Sequence, residues 1–185
     1  LRIPATKRFF LLMLVWTLGW GFSVTWYGVY VIEKFGISQE LATLGLMIQG
    51  LGWTFGGAVV KPFLLKRLNI WTIAKSSYCI TALLLLVVAF TTTFYSFIAV
   101  YAVAAITGAI SLSSTFNFIS IKAPTNIQGK AMGIAQSMMS LGFFLVPLLG
   151  SVAGAVSIVT FYPIAALFLG IGLIILYRQD SSQIA

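Results

Sequence analysis

Histidine is absent, cysteine occurs once, and only three acidic residues stand among 185 positions. A lone Cys79, set in an apolar run, allows no disulfide within the chain and no His- or Cys-built metal site. General acid–base chemistry lacks its usual groups, because Glu33, Glu40 and Asp180 all fall near the ends of hydrophobic runs. No G-x-x-x-x-G-K-[ST] loop is present to cradle phosphates, which argues against an ATP-driven pump within these residues. An enzyme is not expected, nor is any cofactor.

Charge is scarce as well. Charged residues make up 8% of the chain and hydrophobic ones 60%, with a mean hydropathy of +1.05. A soluble domain carries about a quarter charged residues. Eleven Lys and Arg against three acids give a formal charge of +8. These cations stand at the ends of hydrophobic runs rather than in one patch interleaved with aromatics, so they read as membrane-flanking and no nucleic acid is expected as a partner. The first residue is Leu1 and no signal-peptide pattern precedes Phe9, so a piece of a longer polypeptide is expected.

What is present is long apolar runs. Crossing the hydrocarbon layer as a helix takes about 20 residues. Six stretches qualify: Phe9–Ile32, Leu41–Leu64, Trp71–Thr91, Tyr95–Ser120, Gln128–Val152 and Ser157–Tyr177. They do not alternate as barrel strands would. The predicted class is therefore an all-α integral membrane domain over residues 1–185, and the short connections require neighbouring helices to run antiparallel. Lys and Arg set the orientation. With the N-terminus inside, Arg2, Lys7, Arg8, Lys61, Lys66, Arg67, Lys75, Lys122, Lys130 and Arg178 are cytoplasmic and only Lys34 is outside. Both termini are expected in the cytoplasm, by default at a bacterial inner membrane. No charge falls in the middle of a span. Lys61, Lys75 and Lys130 are each expected to extend their charged heads to the interface.

Small and polar residues mark the contacts. In lipid, helices associate through close packing at small side chains and through interhelical hydrogen bonds. Gly52 and Gly56 in the second span, and Gly129, Gly133 and Ser137 in the fifth, have the spacing for close packing, joined by Gly150. The amides of Gln49, Asn117 and Gln136 cannot be satisfied by hydrocarbon, so each should meet another helix or a wet cavity. Asn117 follows Ser113 and Ser114 on a helix that also holds Ser111 and Thr115, giving one polar face. Trp16, Trp20, Ser23, Tyr27 and Tyr30 recur at steps of four, three, four and three, and share a face of the first helix. Tyr27 and Tyr30 fit an interfacial belt. Trp16 and Trp20 lie deeper, where a ligand-facing wall and ordinary helix packing are comparable readings.

The stretch from Pro124 to Gly150 resembles the loop and eleventh span of a major facilitator superfamily transporter. The matching residues are Pro124, Gly129, Gly133, Ser137, Ser140, Leu141, Gly142, Pro147 and Gly150. A second similarity follows the second span, where Gly57, Lys66 and Arg67 fit the family's loop motif. There Lys61 stands in place of the motif's Asp, Pro62 in place of its Arg and Leu64 in place of its Gly, which makes a salt-bridge gate doubtful. The resemblance implies the C-terminal half of a transporter, built from two inverted three-helix repeats, with the N-terminal half outside this chain. It implies that the first and fourth spans line a cavity, that the second and fifth meet the other half, and that the third and sixth face lipid.

The expected function is secondary active transport of a small organic solute by alternating access, possible proton coupling included, with the bilayer, the other half and the solute as partners. Trp16, Trp20, Ser23, Tyr27, Ser113, Ser114 and Asn117 are the cavity candidates. Gln49, Trp53, Gln136 and Ser140 are gate or interhelix candidates, and Gly142 and Pro147 join the packing set, with Pro147 expected to bend the outer part of its helix. The alternatives are a transporter-like scaffold or sensor, and a six-helix subunit that pairs as a homodimer.

Overall fold

The computed structural model describes residues 4–178, with side chains from Lys7 onward. Arg2 and Asp180 lie outside the described residues. The helices are α1 (Pro4–Thr25), α2 (Tyr27–Phe35), α3 (Gln39–Phe55), α4 (Lys61–Leu65), α5 (Ile70–Ala89), α6 (Phe94–Lys122), α7 (Gln128–Val156) and α8 (Phe161–Tyr177). A π-helical turn, Gly56–Val60, joins α3 to α4, and 3-10 turns precede α7 and α8. Six spans result that are long and apolar enough to cross a membrane: α1, α3 with α4, α5, α6, α7 and α8.

Short polar side chains set several boundaries by taking up backbone N–H groups that a helix start leaves open. Asn69 accepts from the Thr72 N–H at 2.8 Å, and Thr93 from the Ser96 N–H at 3.3 Å. Ser38 caps α3 through the Leu41 N–H. At the other end of α2, Gly36 adopts φ +62°, a left-handed stop that suits glycine, and its N–H returns to the Ile32 carbonyl.

One expectation changes. The first span was expected to be one helix to Ile32, but it breaks at Trp26, whose backbone leaves the helical region at φ −98° and ψ 4°. The break lets the Trp26 indole lie on Gly150 of α7 while the Tyr27 hydroxyl donates to the Ala42 carbonyl at 3.0 Å. α7 runs as one helix from Gln128 through Pro147 to Val156.

The helices meet in a repeated pattern. α1 packs on α7 and α8, while α6 packs in the same way on α3 and α5. α1 meets α6, and α5 meets α8. Exchanging the first three spans for the last three maps each of these contacts onto another or onto itself. With consecutive spans antiparallel, the second triplet is an inverted copy of the first. The core is correspondingly central: α1 is 67% buried over its span and α6 50%, whereas the α3–α4 span is 11% buried and the α7 span 17%. The second and fifth spans therefore carry the two large uncovered faces.

Candidate functional site

α1 and α6 face each other across a cluster of aromatic rings and hydroxyls. The Trp16 indole N–H donates to the Ser111 hydroxyl at 2.7 Å. Trp20 lies on Gly108, where an added Cβ would meet its ring at 2.9 Å. It stacks on Tyr101 with centroids 6.0 Å apart and planes 10° from parallel, and it also touches Trp16 and Trp53. Offset ring pairs of this kind add about 0.5–1.5 kcal/mol beyond their burial. Tyr101 donates to the Ser23 carbonyl at 3.1 Å, and Tyr162 of α8 reaches the same oxygen at 3.4 Å.

The aromatic face of α1 is thus mostly interior. Trp16, Trp20, Ser23, Tyr27 and Tyr30 are all buried within the chain. The belt reading of Tyr27 and Tyr30 is overturned: both are fully enclosed, Tyr30 edge-on against Tyr162 at 4.5 Å. Helical spacing locates a face but not what covers it, and here α6 and α8 cover it.

On α6 the polar face is split. Ser114 and Thr115 are buried and bond the carbonyls of Ile110 and Ser111, one turn back. Tyr78 of α5 shares a 2.8 Å hydrogen bond with the Thr115 hydroxyl. Ser113 and Asn117, one turn apart, remain half-buried. Ser113 donates to the Ala109 and Ile110 carbonyls, whereas the Asn117 amide makes no hydrogen bond among the described residues.

Other polar groups are likewise unspent. Gln49 and Trp53, four apart on α3, are half-buried, and neither side chain is hydrogen-bonded. Trp53 sits 5.0 Å from Trp20 and 5.9 Å from Trp16, so it joins the α1–α6 cluster at its open edge. The Trp20 indole N–H also has no acceptor, yet it is not among the fully enclosed groups, so it keeps access to the surface. Among the described residues, Trp20, Trp53, Asn117 and Gln49 therefore keep donors or acceptors without partners. Gln136 and Ser140 stand exposed on α7, Ser140 bonding only the Gln136 carbonyl.

The glycines separate into two sets. An alanine Cβ at Gly52 would meet the Ala102 carbonyl oxygen at 2.8 Å, and one at Gly142 would meet Thr17 at 2.7 Å. Gly56 presses on Ile106 and Gly150 on Trp26. These four pack inside the chain, so Gly52 and Gly56 do not lie on the uncovered face of the second span. Gly129 and Gly133 have nothing within 4 Å, and Ser137 beside them is exposed. Gly57 is equally open. Pro147 is exposed on α7.

The loop motif also changes meaning. Lys66 and Arg67 are exposed, whereas Lys61 is 6% exposed. Sequence reading passed over Tyr101, Tyr162, Trp26 and Gln128. Gln128 ties the start of α7 to the end of α6 by donating to the Ser120 hydroxyl at 2.6 Å and carbonyl at 3.0 Å. A conspicuous run of aromatics near Phe97 and Tyr101 was the available signal. An apolar groove of about 560 Å³ between Val159 and Leu167 involves none of the expected site residues.

Comparison with known proteins supplies the family. A family model described as Major Facilitator Superfamily matches residues 1–147. The chain belongs to the Major Facilitator Superfamily. Members are membrane transporters rather than enzymes. Two crystal structures share the fold of this superfamily member. The E. coli fucose:proton symporter FucP, as a point variant, aligns with a TM-score of 0.81 and 18% identity over 98% of this chain and 43% of that one. FucP in an outward conformation aligns with a TM-score of 0.81 and 19% identity over 97% of this chain and 43% of that one. The chain thus spans less than half the length of the transporters it matches. No curated protein matches it.

Proposed function

We propose that the chain is the C-terminal half of a secondary active transporter that moves a small neutral or amphipathic organic solute by alternating access. The family membership carries this reading. The missing half is supported by the 43% coverage of FucP and by the two uncovered faces of the second and fifth spans, which a second six-helix bundle would cover. Solute contacts are assigned to Trp20 and Trp53 at the edge of the α1–α6 cluster, and separately to the half-buried Asn117 of α6 and Gln49 of α3, because no hydrogen bond among the described residues uses their polar groups. Indole faces and neutral amides suit a solute with little formal charge.

Both termini are assigned to the cytoplasm, with Lys34 alone outside, on the distribution of Lys and Arg. A bacterial inner membrane is the location proposed. Any proton-coupling carboxylate belongs to the other half, since Glu33 and Glu40 stand at span ends. Rocking of the two halves would slide the smooth Gly129–Gly133–Ser137 face of α7 against its partner.

The experiment is solute flux in vesicles holding the full-length protein, with the solute first found by a transport screen. Trp20→Phe, Trp53→Phe and Asn117→Ala should each raise KM or lower kcat/KM by about tenfold. Unchanged flux in all three rejects the site. No flux of any solute, with correctly inserted protein, rejects the transport reading itself.

A further inference from the structure

The second span carries a buried cation that nothing among the described residues answers. Lys61 follows the π-helical turn Gly56–Val60, and its backbone N–H bonds the Gly56 carbonyl five residues back. In a regular helix the residue four after Gly56, Val60, would lie beneath it. The wide turn puts Lys61 there instead, on the edge that Gly52 and Gly56 press against α6. Single π turns of this kind re-aim side chains and recur at functional positions.

The result is a lysine 6% exposed whose ammonium has no hydrogen-bond or ion-pair partner among the described residues. Its nitrogen is not sealed in, because among the described residues the Trp26 indole nitrogen is the only fully enclosed side-chain N or O left unpartnered. The stem is therefore packed and the charged tip meets a narrow opening. Burying a charge without a counter-charge is costly. The described acids offer none: Glu40 opens the same span, about 30 Å away along the helix, and Glu33 precedes it. Neighbouring cations at this end use ring faces, with Arg67 5.2 Å from the Phe63 ring and Lys75 4.7 Å from that of Tyr177.

The geometry points to Lys61 as a binding position for one oxyanion, a phosphate by chemistry, entering at the end of the second span. An anionic phospholipid headgroup is one source and dissolved phosphate the other. Exposed Phe63 and Leu65 offer apolar surface beside the site, which suits acyl chains. Lys66 and Arg67, exposed one turn on, draw anions to it but do not form it. The assignment does not depend on what the transporter carries.

The test is thermal denaturation of the full-length protein in neutral detergent, with added phosphatidylglycerol, phosphatidylcholine or inorganic phosphate. Phosphatidylglycerol should raise the Tm of wild type and K61R, and phosphatidylcholine should not. K61Q should bind phosphatidylglycerol about tenfold more weakly, while K66Q keeps most of the response. A Lys61-dependent rise with inorganic phosphate alone identifies the dissolved anion as the source and sustains the site. No response of wild type to either phosphate compound overturns the proposal, and this holds even if K61Q fails to fold. A response that K61Q retains in full, or that K66Q loses equally, overturns it too.

Discussion

The indole nitrogen of Trp16 and the hydroxyl of Ser111 stand 2.7 Å apart and join the central helices of the two triplets. Both residues are enclosed, so neither group has water as an alternative partner. Ser111 donates its own O–H to the Gly108 carbonyl at 2.8 Å, which leaves its oxygen as the acceptor for Trp16. This bond accounts for one of the two deep tryptophans: Trp16 is committed to packing, and Trp20 is left as the one with a free donor.

Ser111→Ala should therefore destabilise the protein by about 1–2 kcal/mol, since it strands a buried N–H. Trp16→Phe with Ser111→Ala should cost less than the two single changes summed, because the second change then strands nothing. Thermal denaturation of the purified full-length protein measures both. Strict additivity would mean that the bond contributes nothing.

Trp26 should behave in the opposite way. Its indole nitrogen is buried without an acceptor where α1 gives way to α2. Its ring stacks on Phe161 at 5.0 Å, and phenylalanine would keep that contact. Trp26→Phe should leave stability unchanged or raise it by up to about 2 kcal/mol, as an unpaired donor is removed from a dry site. A loss larger than 1 kcal/mol would point to a partner for that N–H outside this chain. Gly150→Ala should be harmful under either outcome, because its Cβ would enter the indole.

The six spans were legible because apolar runs of about 20 residues leave few alternatives. The superfamily was legible from Pro124 to Gly150. What periodicity could not convey is which neighbour covers a face. Gly52 and Gly56 share the four-residue step of Gly129 and Gly133, yet the first pair abuts α6 and the second meets nothing. Tyr27 and Tyr30 occur at the end of a span, as belt residues do, yet the break at Trp26 swings them into the core. The break at Trp26 has no proline beside it, whereas the π turn before Lys61 opens on Gly56 and Gly57 and is followed by Pro62, which has no N–H to continue the helical ladder. The contacts made at these turns, Trp26 on Gly150 and Gly56 on Ile106, join residues far apart in the chain and are not legible from either stretch alone. The open position of Asn117 and the burial of Ser114 likewise depend on the rotation of α6, which three residues of sequence do not reveal.

Lys34 gives a prediction at the other end of the bundle. Its ammonium donates to the Ala89 carbonyl at 2.8 Å and to the Tyr30 hydroxyl at 2.7 Å. Ala89 ends α5, where carbonyls lack helical partners and a cation is favoured by the helix dipole. Burial lowers the pKa of Lys34 from its ordinary value. Lys34→Met should cost about 1–2 kcal/mol through the lost charge-assisted bonds. Lys34→Arg should recover part of that. Hydrogen exchange at the end of α5 should rise in the methionine variant, and unchanged protection there would show that the contact does not hold the helix end.

The two glycine sets separate folding from transport. Gly56→Ala places a methyl group against the Ile106 backbone, which cannot move aside without shifting α6. A cost of about 1–3 kcal/mol is expected, with lower yield of folded protein. Gly133→Leu adds far more bulk but meets nothing within the chain. Its thermal stability in the isolated six-helix piece, if that piece can be purified folded, should match that of the unchanged piece. In the full-length transporter the same leucine would fall on the face assigned to the other half, where close approach needs small residues. Solute flux should drop by about tenfold or more, with the protein still inserted and folded. Full flux from Gly133→Leu would remove α7 from the moving seam and leave its small-residue face to lipid.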